Sequence, residues 1–262
     1  MKLLKLGVLT LLWMPTLGMA QSAFDGTWKV NLNTAKFSEK ADEYLLKDGI
    51  YQCKTCAPPI EVKADGQDHK VTGYPYFDTY SVKEVDDRTI ETTDKKNGKT
   101  VGTSKLWVSP DGNTLMFEFS DSSATNADPV TGKGQSSRVA KGPAGSHAIS
   151  GSWHTSKMDT VSVNGLAFTV KVSGETLEMT SPTGQGYKAK LDGTDAPYLG
   201  DPGTTSVSVK KKGPNSIEET DKRDGKVISV SVMTVSADGK TMKILNEDKL
   251  RGTHSEFDAT KQ

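Results

Sequence analysis

Val108-Ser109-Pro110-Asp111-Gly112-Asn113-Thr114-Leu115-Met116-Phe117-Glu118-Phe119 is the stretch that decides the fold. Its Asp-Gly pair supplies the positive φ that a tight turn needs at low steric cost, and the residues that follow alternate with a period of two. Leu115, Phe117 and Phe119 share one face of the strand so formed, with Met116 and Glu118 on the other. The stretch reads as one half of a β-hairpin laid against a core.

The signal recurs along the chain. Asp-Gly pairs begin at 25, 48, 65, 111, 192, 224 and 238, and Asn97-Gly98 and Asn164-Gly165 play the same part. Segments between them, such as 203–209 and 227–235, are rich in Val, Thr and Ser in strand-like patterns, and no stretch after the N-terminal leader holds a helical period for three turns.

The stretch is also duplicated. Val108-Ser109-Pro110-Asp111-Gly112 returns as Val235-Ser236-Ala237-Asp238-Gly239, and the same offset of 127 carries Lys63-Ala64-Asp65-Gly66 onto Lys190-Leu191-Asp192-Gly193. Residues 63–115 and 190–242 are identical at 22 of 53 positions without a gap, which chance does not supply. Upstream, Gly26-Thr27-Trp28 pairs with Gly151-Ser152-Trp153 at an offset of 125. The expected organisation is a leader over 1–20, one copy over 21–140, a linker over 141–147 containing Gly142-Pro143-Ala144-Gly145-Ser146, and a second copy over 148–262.

About eight to ten short strands per copy predict an all-β protein of two tandem antiparallel meander β-barrels. A β-sandwich is the alternative. The barrel is preferred because closure removes exposed edge strands, and because the Cys-Trp-Cys framework of immunoglobulin-like sandwiches is absent.

The 262 residues carry 33 basic and 33 acidic side chains, a balance that argues against binding nucleic acid or anionic membrane through broad charge. Lys2 and Lys5, an apolar run from Leu6 to Met14, Pro15 and Gly18-Met19-Ala20 read as a cleavable signal peptide, too short in its apolar part to span a bilayer. No cysteine follows the cleavage site to take a lipid, so the mature protein is expected to be periplasmic or secreted, without stable membrane insertion.

Gly-x-Trp opening the first strand of each copy, followed by a meander of hairpins, resembles the lipocalin and calycin superfamily. That resemblance implies that Trp28 and Trp153 each close one end of a barrel against a late arginine. Arg138 would take the part in the first copy, and Glu256 or Phe257 stands near the matching place in the second. Phe77-Asp78-Thr79-Tyr80 loosely matches the superfamily's second motif and has no counterpart in the second copy. The chain also resembles exported, duplicated bacterial proteins of uncharacterised function.

Cys53-Lys54-Thr55-Cys56 occurs in the first copy only. Two cysteines so close in an exported protein are expected to form a disulfide; a redox pair or half of a metal site are the alternatives. The strand context lacks the helix N-terminus that would activate a thiol, and the four histidines are scattered singly, so no metal and no cofactor is expected. Tyr74, Tyr76 and Phe77 flank Pro75, with Tyr44 and Tyr51 upstream, as core rings or as the rim of a ligand cup. Trp107 and Leu115 are candidate wall positions of that cup. Asp94 and Glu218-Glu219, beside lysines, read as solvated surface groups.

No nucleophile elbow, zinc-protease motif, phosphate loop or dinucleotide fingerprint is present, so a non-enzymatic role is expected. The function expected is enclosure of a small apolar or aromatic ligand, with the first copy as the working half. An envelope-structural or protein-interaction module with solid barrels is the alternative, and a thiol-redox protein is a third.

Overall fold

The computed structural model describes residues 22–124 and 127–262, so the leader over 1–20 lies outside the described residues. The chain is all-β: two ten-stranded antiparallel sheets, one a closed barrel and the other nearly closed. This is the barrel architecture read from the hairpins, and the sheet orders leave no sandwich.

The first sheet takes β2 (Asp42–Lys47), β3 (Ile50–Cys53), β4 (Ile60–Lys63), β5 (His69–Lys70), β6 (Thr79–Asp86), β7 (Thr89–Lys96), β8 (Lys99–Val108), β9 (Thr114–Asp121), β10 (Val130–Lys141) and β11 (Gly151–Val161). The second takes β12 (Ala167–Ser173), β13 (Thr176–Thr180), β14 (Gly186–Lys190), β15 (Asp192–Leu199), β16 (Ser206–Gly213), β17 (Ser216–Arg223), β18 (Lys226–Val235), β19 (Thr241–Asp248) and β20 (Thr253–Lys261). It is completed by β1 (Gly26–Phe37), which pairs with β12 on one side and β20 on the other.

Sheet membership therefore crosses the repeat boundary. The first strand of each copy lies in the other copy's sheet. The segment 141–147, expected as a linker between barrels, forms most of the hairpin connection between β10 and β11. It is tied to the first barrel by His147 N donating to Leu46 O at 2.8 Å and Ala148 N to Asp87 O at 3.3 Å. A short connection folds β11 back on its neighbour β10, which leaves β1 to close the second barrel.

The turn chemistry follows the sequence where two residues must both take positive φ. Asp48-Gly49, Asn97-Gly98 and Asp224-Gly225 have φ of 51° and 74°, 51° and 77°, and 49° and 78°. Two of the pairs do something else. Asp25-Gly26 opens β1, with Asp25 Oδ1 accepting from Val172 N at 2.6 Å, and Asn164-Gly165 falls in a 3-10 turn over Val163–Gly165.

Each barrel has its own core. Trp28, Val170, Leu177, Val207, Val209, Ile217, Met242 and Ala259 belong to the closed barrel. Leu46, Tyr51, Val82, Ile90, Val108, Leu115, Ile149 and Trp153 belong to the other.

Candidate functional site

The two barrels descend from one module, so matched positions show where one differs inside. In the closed barrel, β17 to β20 place Glu219, Ser231, Asn246 and Ser255 side by side in one cross-strand row. The matching row of the first barrel is Thr92, Ser104, Phe119 and Gly132. Next to it, Ile217, Met233, Ile244 and Phe257 stand where the first barrel has Ile90, Leu106, Phe117 and Gly134.

The glycines explain the filling of the first barrel. A Cβ at Gly132 would come within 2.5 Å of the Phe119 ring, and one at Gly134 within 2.5 Å of the Phe117 ring. The phenyl rings occupy the space that side chains on β10 would need. On the opposite wall a chain of rings completes the filling. Tyr44 stacks on Tyr51 at 6.4 Å between centroids, Tyr51 on Tyr80 at 6.3 Å, Tyr80 meets Phe77 at 5.9 Å, and Phe77 stacks on Tyr74 at 4.5 Å. Burial raises the phenol pKa of Tyr44 and Tyr51 and pushes that of Tyr80 up to about 12, so these rings stay neutral and act by packing.

In the closed barrel Val170, Leu177 and Val207 occupy the places of Tyr44, Tyr51 and Tyr80. Smaller side chains leave a cavity of about 370 Å³, walled by residues that include Val30, Phe168, Met179, Tyr187, Met233 and Phe257. That volume falls within the range of small-molecule sites. Glu219 faces it from β17, 7% exposed, and accepts a hydrogen bond from Tyr187 Oη; Tyr187 packs against Tyr198 with centroids 5.6 Å apart. Burial, reinforced by the Asp221 charge, raises the Glu219 carboxyl pKa. Asn246 Nδ2 donates to Ser229 Oγ and Ser231 Oγ, each at 2.9 Å, which fixes the polar row.

The sequence reading of Glu218-Glu219 as a solvated pair holds for one of the two residues. Glu218 points outward and meets Lys212 at 3.1 Å, whereas Glu219, one residue along a strand, points inward. Asp94 departs from that reading too: its Oδ1 is buried with no hydrogen-bond partner among the described residues, and burial with the nearby Asp121 charge pushes its pKa up to about 6.

The other expected site residues are dispersed. Tyr44, Tyr51, Tyr74 and Phe77 form the ring chain inside the first barrel, and Leu115 is buried there. Tyr76 reaches across to the other barrel, its hydroxyl donating to Asp201 Oδ1 at 2.8 Å. Trp107 stands on the outer face: Leu106 and Val108 on either side of it pack inward, and Lys105 Nζ lies 5.8 Å from its ring. Cys53 and Cys56 form a disulfide, with Cys53 buried in the first barrel's core.

The end-closing residues pair across copies. The Arg138 guanidinium carbon lies 3.8 Å from the ring centroid of Trp153, not over Trp28 of its own copy, and the guanidinium nitrogens Nε, Nη2 and Nη1 donate to the carbonyls of Gly112, Ala148 and Ser150 respectively. Trp28 is covered by Lys261, with Nζ 4.8 Å from the ring centroid, so the late cation of the second copy is neither Glu256 nor Phe257. Register explains this: Ser136 faces Leu115 as Ala259 faces Met242, which makes Arg138 and Lys261 equivalent through a shorter β19–β20 hairpin.

Among the described residues no group of three or more His, Cys, Asp or Glu side chains is arranged to hold a metal ion. No protein-family model matches the chain, and no curated protein is significantly similar to it. The residues of the cavity were legible only by comparing the two copies position by position: Thr92 against Glu219, Phe119 against Asn246 and Gly132 against Ser255.

Proposed function

We propose that this protein is an exported, non-catalytic binding protein that encloses a small, largely apolar molecule in its closed barrel, in the manner of a lipocalin. The observation that carries the reading is the cavity of about 370 Å³ in one barrel at the level where aromatic rings fill the other. The first barrel has a concavity of about 320 Å³ beside Tyr76, Phe77, Asp94 and Phe119, but its chain of rings fills the level at which the closed barrel keeps its cavity, a difference explained if the closed barrel holds a ligand. The working half is then the second copy with β1, and the rings of the first copy serve its core.

Native mass spectrometry of protein purified from its own host tests this, alongside a Met233→Trp variant that places a larger ring in the cavity. The expected result is a retained small-molecule mass that the variant loses. Protein that carries no small molecule, and binds no apolar probe when offered one, overturns the reading.

A second reading, an envelope or protein-interaction module, is favoured by the charged outer surface of the first barrel. The outer face of β7 to β10 carries the row Glu91, Lys105, Glu118 and Lys133 beside a shallow concavity of about 510 Å³. A co-purifying protein in place of a small molecule would select it.

A further inference from the structure

We infer that the ligand of the closed barrel is an organic amine, an ammonium group on a compact apolar or aromatic body, held by Glu219 and the tyrosine rings beside it. This rests on the cavity-binding reading above and narrows it to a chemical class.

Glu219 is the one acid among the residues lining the cavity, and no lysine, arginine or histidine lines it. Its hydrogen-bond partner is a neutral phenol, Tyr187. Asp221 lies two residues along the same strand, facing the same way, with Oδ1 buried and unpartnered among the described residues. A carboxylate buried without a countercharge is costly, and the matched position of the first barrel carries the neutral Thr92. A cation standing in the cavity beside Glu219 would supply that countercharge.

The walls suit the same ligand. Tyr187, Tyr198, Phe168 and Phe257 line the cavity with Glu219, so aromatic rings are available to an ammonium group while its organic body is buried. The groups that face Glu219 from its neighbours are Tyr187 from β14, Tyr198 from β15 and Ser231 from β18, with Asp221 on its own strand; Val209 on β16 is apolar. None supplies a positive charge. Burial and the Asp221 charge raise the Glu219 carboxyl pKa, and an ammonium partner would lower it.

The test is calorimetric titration of the full chain at pH 7 with 2-phenylethylamine and tryptamine, against the isosteric alcohols 2-phenylethanol and tryptophol. The amines are expected to bind at least tenfold tighter than the alcohols. Glu219→Gln is expected to reduce the amine-to-alcohol affinity ratio to about one, with its urea denaturation midpoint measured separately to show that the variant is folded. Alcohols that bind as tightly as amines, or a Glu219→Gln variant that keeps the preference, overturn the amine assignment and leave the cavity reading standing. Failure of all four probes to bind overturns both.

Discussion

Arg138 and Lys261 occupy equivalent places at the ends of the two barrels, and removing each side chain tests the crossed pairing of strands. Arg138 donates to three backbone carbonyls, including Ala148 O at 2.7 Å and Ser150 O at 2.9 Å, and lies over the face of Trp153. A hydrogen bond from a charged donor contributes about 1.5–3 kcal/mol, and a ring-face contact about 0.5–2 kcal/mol. These act on one side chain that is partly open to water and do not add in full, so Arg138→Ala is expected to cost about 3–5 kcal/mol. Lys261 makes one such bond, to Ala23 O at 3.0 Å, and a longer ring contact; Lys261→Ala is expected to cost about 1–2 kcal/mol. Urea denaturation measures both. Emission spectra of the mature chain identify which tryptophan each cation covers: in a Trp28→Phe/Trp107→Phe background Arg138→Ala should shift the emission of Trp153 to the red, and in a Trp107→Phe/Trp153→Phe background it should leave Trp28 unchanged. A red shift of Trp28 on loss of Arg138 would mean that each copy closes on its own first strand, and would refute the topology.

Gly134→Ala would drive a methyl group into the Phe117 ring and the Lys157 carbonyl, so a loss of about 1–3 kcal/mol is expected by denaturation; Gly98→Ala, in open space but at positive φ, is expected to cost about 1 kcal/mol through backbone strain alone. Asp94, with its pKa at about 6 against an ordinary 3.8, binds its proton more tightly in the folded chain than in the unfolded one. Stability therefore falls as pH rises from about 4 to about 6 and stays lower above that; Asp94→Asn should raise stability at pH 7 by about 1–2 kcal/mol and flatten that slope in a pH series of urea melts. Reducing the Cys53–Cys56 bond opens a loop of sequence separation 3, for which chain entropy gives about 2 kcal/mol. Dithiothreitol should lower the denaturation midpoint accordingly while leaving probe binding unchanged, because the pair belongs to the filled barrel.

The all-strand class, the hairpin turns and the duplication are properties of local sequence. Asp48-Gly49, Asn97-Gly98 and Asp224-Gly225 make turns from their own φ preferences, and alternation puts Leu115, Phe117 and Phe119 on one face before any partner is known. Trp107 shows the limit of that method. Alternation alone sets it opposite Leu106 and Val108, but only the course of the sheet says which of the two faces is inside.

Sequence alone determined a doubled module made of strands, because turn chemistry and side-chain period act over a few residues. Tertiary structure decided which first strand closes which barrel, which interior holds the chain of stacked rings, and that Glu219 faces inward while Glu218 faces Lys212. Those outcomes depend on residues far apart in the chain meeting across a closed sheet: Gly26-Thr27-Trp28 and Gly151-Ser152-Trp153 are near-equivalent as strings, and only the short β10–β11 connection and the space left by neighbouring side chains distinguish their places.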